Sequence, residues 1–258
     1  NGTNWTEVND LNTARRAKAG GTTPSAVAMG GYTGTEYSGA TETWNGTNWT
    51  ETTDMNTARG SNYGTGASST DSLVAGGTTN APATTGQTEV WNGSTWTEEA
   101  DLNTARINLA GSGNTASLSL AFGGSGPNNQ TEEFQKSGLA LGAWSTGGTM
   151  NTARGSMGGT PAGTQSAAMA SSGQTAGGTV NSSVEQYNGT NWTETTDVNT
   201  ARRSVAAGGT STSNLIFNGS EPSASVKTEL WNGTNWTEVN DSNTTTQSRA
   251  GCGASNTS

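Results

Sequence analysis

The sequence predicts an all-β protein, a ring of small four-stranded antiparallel sheets of the propeller kind, and three observations predict it. A common pattern recurs along the 258 residues at intervals of 44, 47, 48, 48 and 44, counted from Trp5 through Trp49, Trp96, Trp144 and Trp192 to Trp236. Each period holds four short apolar or alternating runs separated by Gly- and Asn-rich turns, which is the strand content of one blade. Composition leaves little else to pack: Leu, Ile, Val and Phe together number 25, while Gly numbers 38 and Trp 9. A chain so poor in aliphatic residues builds neither a helical bundle nor a coiled coil. No run approaches the roughly 20 apolar residues of a membrane-spanning helix.

The elements of one period follow in a fixed order. The first strand is small and Gly-rich, as in Ala17-Lys18-Ala19-Gly20-Gly21 and Leu109-Ala110-Gly111-Ser112. Innermost strands converge on the axis of a propeller, and small residues permit that approach. Cys252, in Gly251-Cys252-Gly253, reads as one more small buried residue of such a strand. The second strand is an apolar run ending in glycine, as in Leu73-Val74-Ala75-Gly76-Gly77. The third alternates polar and apolar residues and places a glutamate at one position throughout: Glu42, Glu89, Glu132, Glu185 and Glu229. The fourth carries the recurring Trp.

Between the third and fourth strands the segment Trp44-Asn45-Gly46-Thr47-Asn48-Trp49 predicts a tight hairpin that sets two indoles opposite each other, with Asn-Gly supplying the positive φ such turns need. The pair recurs as Trp91/Trp96, Tyr187/Trp192 and Trp231/Trp236. At about 0.5–1.5 kcal/mol each beyond burial, such pairs replace missing Leu and Ile. In the third copy Phe134 and Trp144 lie farther apart, and the longer loop 135–143 is expected to project.

From every recurring Trp to the Asn of the next Asn-Thr-Ala-Arg segment the distance is seven residues, so that crossing is geometrically locked. Repeats start near residues 14, 58, 105, 153 and 201, and residues 1–258 read as a single propeller domain. Partial strands at 1–11 and 244–258 would join to share one further blade, which closes the ring and removes exposed edges. The expectation is a six-bladed propeller with its last blade split between the ends, the missing strands coming from flanking residues or a neighbouring chain.

An Arg opening the first strand, Gly-Gly closing the second (Gly30-Gly31, Gly76-Gly77, Gly123-Gly124), an aromatic in the third and a Trp in the fourth resemble the kelch repeat over essentially the whole chain. The chain is most similar to the Asn-Gly-Thr-rich kelch-like arrays of marine bacteriophages and their hosts. It departs from the pattern at Ser171-Ser172-Gly173 and Phe217-Asn218-Gly219. The resemblance implies a fibre, appendage or virion-surface component. It also implies that Arg15, Arg59, Arg106, Arg154 and Arg202 lie at one mouth of a central channel. There the forked guanidinium groups could grip a carboxylate or phosphate, or each could pair with the glutamate of its own sheet.

Charge and missing residue types narrow the function. A net charge of −9 with three lysines, Lys18, Lys136 and Lys227, excludes a phosphate-backbone face. The absence of His removes the usual general base and the commonest metal ligand, so no catalytic residue, metal or cofactor is expected. A lone Cys makes no internal disulfide. Sequons such as Asn4-Trp5-Thr6 sit beside bulky packing residues, which points to bacterial or viral synthesis. A chain beginning with Asn and lacking a signal segment is expected to be a processed product or an excerpt.

The expected role is a non-enzymatic propeller outside the cell, on a virion or cell surface. Its partners would be other particle or appendage proteins or host surface glycans, with no nucleic acid and no membrane insertion. Loops 32–40, 78–86, 125–130, 135–143 and 174–182 would make the contacts. A glycan-binding lectin using Tyr32 and Tyr37 is the first alternative. A sialidase-like glycoside hydrolase, built from carboxylates, arginines and a tyrosine, is the second.

Overall fold

The computed structural model describes residues 4–245, 251 and 253, apart from 82, 126, 127, 137 and 139. Every element among them is a strand. Blade 1 contains Arg16–Thr22, Ser25–Tyr32, Tyr37–Trp44 and Trp49–Glu51, hydrogen-bonded in sequence order. Blade 2 has Tyr63–Ser68, Asp71–Ala75, Thr88–Trp91 and Trp96–Glu99; blade 3 has Ala110–Thr115, Leu118–Phe122, Thr131–Gln135 and Ala143–Thr146. Blade 5 has Ala206–Gly209, Asn214–Phe217, Thr228–Trp231 and Trp236–Val239. In blade 4 the sheet proper is Ala168–Ser171, Val184–Tyr187 and Trp192–Thr195. Its innermost strand shrinks to the reciprocal bonds between Gly158 and Ser171, at 3.0 and 2.9 Å.

The hairpin register follows the aromatic spacing. Trp44 faces Trp49, Trp91 faces Trp96, Phe134 faces Trp144, Tyr187 faces Trp192 and Trp231 faces Trp236. Ring centroids in the five pairs lie 5.1–5.3 Å apart. In each Asn-Gly turn only the glycine takes positive φ, 93° at Gly46. The asparagine acts through its side chain instead: Asn45 Oδ1 accepts from the backbone N–H groups of Thr47 and Asn48, both at 2.9 Å. The 135–143 loop does not stand free as expected. Glu99 of blade 2 accepts from Gly142 N at 2.6 Å and from Lys136 Nζ, tying the loop to its neighbour.

The two indoles of a pair bind different neighbours. Third-strand Trp44, Trp91 and Trp231 donate Nε1 to a carbonyl of their own blade, Thr23, Ser69 and Ser211, at 2.8–3.0 Å. Fourth-strand Trp96, Trp144 and Trp192 donate across the seam to the Thr before the glutamate of the preceding blade: Thr41, Thr88 and Thr131, at 3.1, 3.0 and 2.9 Å. The buried clusters accordingly span neighbouring blades. Leu73 and Ala75 of blade 2 pack with Phe134 and Trp144 of blade 3.

The described residues form five blades, not the expected six. Residues 4–11 lie along blade 5 without forming a strand. Trp5 stacks on Phe217 at 4.9 Å, much as Trp192 stacks on Phe122 at 4.8 Å. Asn240 Nδ2 donates to Asn4 Oδ1 at 3.1 Å, and Asn9 Nδ2 reaches Thr47 O of blade 1 at 2.9 Å. The segment therefore bridges blades 5 and 1 as a strap. No third strand among the described residues pairs with it, and Thr228 Oγ1, which matches the indole acceptors of blades 1–3, is buried without a partner. Apart from Thr244, Thr245, Gly251 and Gly253, the expected strand at 244–258 lies outside the described residues, Cys252 included.

Candidate functional site

Each Asn-Thr-Ala-Arg segment enters a blade by closing on that blade's glutamate. Asn56 N, Asn103 N, Asn151 N and Asn199 N donate to Glu89, Glu132, Glu185 and Glu229 at 2.6–2.7 Å. The arginine three residues on then pairs with the same carboxylate: Arg59–Glu89 at 2.6 Å, and Arg106–Glu132, Arg154–Glu185 and Arg202–Glu229 at 2.7 Å, with Arg15–Glu42 arranged alike. The seven-residue spacing measures the crossing from the outer Trp of one blade to this clamp on the next. A carboxylate that collects a guanidinium and backbone N–H groups has its oxygens satisfied, which a buried charge requires.

The arginine ring is thus placed otherwise than its candidate role as a channel-mouth binding ring supposed. The side chains of Arg15, Arg59, Arg106, Arg154 and Arg202 are 0–1% exposed. Burial pulls Arg59, Arg106, Arg154 and Arg202 below their ordinary range, and the paired carboxylates oppose the shift. A guanidinium keeps its charge under such shifts. Their side chains are thus enclosed against their glutamates, although Arg154 also borders a cavity between blades 3 and 4.

Past the arginines of blades 2–5 the backbone takes an unusual conformation. Ser61, Asn108, Ser156 and Ser204, each two residues past an arginine, hold φ of 55–56°. Their N–H groups link successive blades: Asn108 N to Ser61 O at 2.8 Å, Ser156 N to Asn108 O at 2.9 Å and Ser204 N to Ser156 O at 2.7 Å. Four non-glycine residues in a left-handed conformation mark a backbone set by its surroundings. Ser and Asn carried no sequence signal for this, and blade 1 lacks the position. Between blades 3 and 4 a polar cavity of about 290 Å³ opens here, lined by Asn108, Ser125, Gly155, Ser156 and Gln174. Beside it Gly155 lets blade 4 approach blade 3 closely, because a Cβ there would meet Gly124 backbone at 2.9 Å.

Blade 1 carries the non-repeating aromatic surface. Tyr32 and Tyr37 are half-buried with centroids 5.1 Å apart, and the Arg16 guanidinium lies 5.9 Å from the Tyr32 ring centre. Asn80 brackets Tyr37, accepting from its N–H at 2.7 Å and donating to its carbonyl at 2.8 Å. Among the described residues no three His, Cys, Asp or Glu gather where a metal ion would fit, and no helix is long and apolar enough to cross a membrane.

Radial four-stranded sheets with seams sealed by indoles define the chain as a β-propeller. No family model and no curated protein matches the sequence. Among solved structures 182 chains match, and one of these, titled "Structure of YjhT", superposes with a TM-score of 0.75 over 95% of this chain and 89% of that one. At 12% identity the likeness shows the fold alone.

Proposed function

We propose that the chain is a non-enzymatic display scaffold of the kelch type, carried on a virion, tail fibre or cell appendage outside the cell, whose loops attach it to host surfaces or to other particle proteins. One observation carries the reading: the repeated arginines and their third-strand glutamates are consumed inside the fold. All five repeated arginines and their glutamates are enclosed in ion pairs, so the groups a sialidase-like site would assemble from them are occupied. The variable loops are left to make contacts, and loops on a rigid scaffold are where recognition resides. Incorporation of the chain into particles of its source, followed by antibody-labelled electron microscopy, tests the reading. Turnover of a fluorogenic sialoside by the purified chain would overturn it.

A second reading, glycan binding, is favoured by the half-buried Tyr32/Tyr37 pair with Arg16 beside it, since aromatic faces that reach solvent stack on sugar rings. A glycan array separates the two. Binding that disappears in Tyr32→Ala and Tyr37→Ala supports a lectin, and an array without signal supports the scaffold.

A further inference from the structure

Repetition makes departures legible. What covers the residue after each clamp arginine differs from seam to seam. Between blades 1 and 2 that residue is Gly60, and the ring of Tyr37 lies 2.8 Å from where its Cβ would stand. In blade 5 it is Arg203, whose Nη1 donates to Gln174 Oε1 at 2.7 Å. In blade 4 it is Gly155, where the atoms nearest a Cβ are backbone atoms of Gly124 and Ser125. Beside Gly155 lies the cavity of about 290 Å³. Small-molecule sites start at about 300 Å³, so this space suits one ring-sized molecule rather than a chain.

The side chains around this space are polar, and several of their bonding groups are uncommitted. Asn108 Nδ2 donates to Ser125 Oγ at 2.9 Å, which leaves Asn108 Oδ1 to accept and the Ser125 hydroxyl proton to be donated. Gln174 gives its Oε1 to Arg203 and keeps both Nε2 protons. Ser156, held at φ 55°, carries a hydroxyl that meets no partner among the described residues. Free charge is missing. Arg154 borders the cavity, yet its Nη2 is bonded to Glu185 Oε1 at 2.7 Å and its Nη1 to Ser172 O at 3.1 Å and to Ser183 O. Its Nε lacks a partner, but so do those of Arg59, Arg106 and Arg202, which do not border the cavity; that atom therefore marks no ligand. Among the described residues no Asp, Glu or Lys and no aromatic ring lines the space.

We propose that the cavity between blades 3 and 4 binds a single uncharged sugar ring, whose hydroxyls donate to Asn108 Oδ1 and accept from the Ser125 and Ser156 hydroxyls and from Gln174 Nε2. A sugar hydroxyl both donates and accepts, so a rim that offers both satisfies neighbouring hydroxyls. An anion would meet an amide oxygen and no free countercharge, and a cation would meet no carboxylate. The site is separate from the Tyr32/Tyr37 surface and does not depend on whether that surface binds glycans.

The test is NMR titration of the ¹⁵N-labelled protein with glucose, galactose and mannose, each by itself. At least one sugar is expected to move the amide signals of Gly155, Ser156 and Gln174 to saturation. Gly60, Ser61 and Thr78, which hold the same places in the seam between blades 1 and 2, should stay fixed. Ser156→Gly keeps the left-handed backbone, so it should fold and weaken that sugar about fivefold, the worth of one hydrogen bond. Ser125→Tyr, which supplies the residue type that blade 1 carries there as Tyr32, should fill the space and abolish saturation. Tyr32→Ala and Tyr37→Ala should bind the sugar as the parent does, which separates this site from the glycan reading of blade 1. Equal binding of the methyl glycoside assigns the cavity to the end of a glycan, and loss of binding on methylation assigns it to the free sugar. No saturation by any of the three sugars, equal movement of Gly60, Ser61 and Thr78, undiminished binding by Ser156→Gly or Ser125→Tyr, or tighter binding of sulfate at the same amides would overturn the proposal.

Discussion

Replacing Arg106 by Met tests what holds the blades together. Arg106 is 1% exposed; its Nη2 meets Glu132 Oε1 at 2.7 Å, and its Nη1 donates to Gln130 O at 3.0 Å and Gly123 O at 3.3 Å. Methionine fills the volume and removes every one of these donors. It leaves a carboxylate, 3% exposed, with Asn103 N at 2.7 Å as its remaining donor. Breaking a buried pair from one side costs about 3–5 kcal/mol. For a domain of this size about 2 °C accompanies each kcal/mol, so differential scanning calorimetry should show melting lowered by roughly 6–10 °C. Arg16→Met, which alters an exposed guanidinium one residue after a clamp arginine, should shift it little. Adding Glu132→Gln to Arg106→Met should recover part of the loss, because the amide still accepts from Asn103 and carries no charge to desolvate. Melting of Arg106→Met within the range of the Arg16 control would refute the assignment of the arginines to the blade clamps.

Three further outcomes follow from the same geometry. Burial alone would raise Glu42, but bonds from Arg15, Asn12 N and Thr13 N outweigh it and hold the carboxyl below 4.5. A depressed carboxyl contributes stability above its ordinary range and loses it as pH falls through that range and below; acid melts of Glu42→Gln should therefore show a flatter slope than wild type below about pH 4.5. Trp91, 0% exposed with its Nε1 bonded to Ser69 O at 2.8 Å, should cost about 3–5 kcal/mol on truncation to Ala, read by urea denaturation. Ser156 at φ 55° predicts opposite signs for two substitutions: Ser156→Gly should leave melting unchanged or slightly higher, and Ser156→Val should lower stability by about 1–2 kcal/mol.

What the sequence disclosed is what local physics decides. The hairpin register at Trp44/Trp49 follows from a turn of fixed length, and even the stretched pair Phe134/Trp144 kept its pairing. The Arg–Glu pairing was legible only as one of two roles, because spacing places both residues at one end of a blade without saying whether the guanidinium turns into the sheet or toward the axis. Blade number depends on how the ends meet, a long-range matter that repetition does not encode. The reduced inner strand of blade 4 had a local cause in view, Pro161 among Gly158, Gly159 and Gly163, where a missing N–H and backbone entropy both weaken a ladder.

The energetics place cohesion in the seams. A sheet of three or four short strands with one to four Leu, Ile or Val residues has little interior of its own. The chain compensates by giving the fourth-strand indoles of Trp96, Trp144, Trp192 and Trp236 an acceptor on the preceding blade and by linking Ser61, Asn108, Ser156 and Ser204 through backbone bonds. Trp49, which faces the strap rather than a blade, remains half-buried, whereas Trp96, Trp144, Trp192 and Trp236 are buried. The repeated arginine–glutamate clamps and indole pairs are thereby committed to holding the strands and blades together. The residues that do not repeat include Arg16, Tyr32 and Tyr37 on blade 1. The proposed glycan-binding reading predicts that substitutions at Tyr32 and Tyr37 change binding while melting stays near that of the parent, and the clamp arginines should show the reverse.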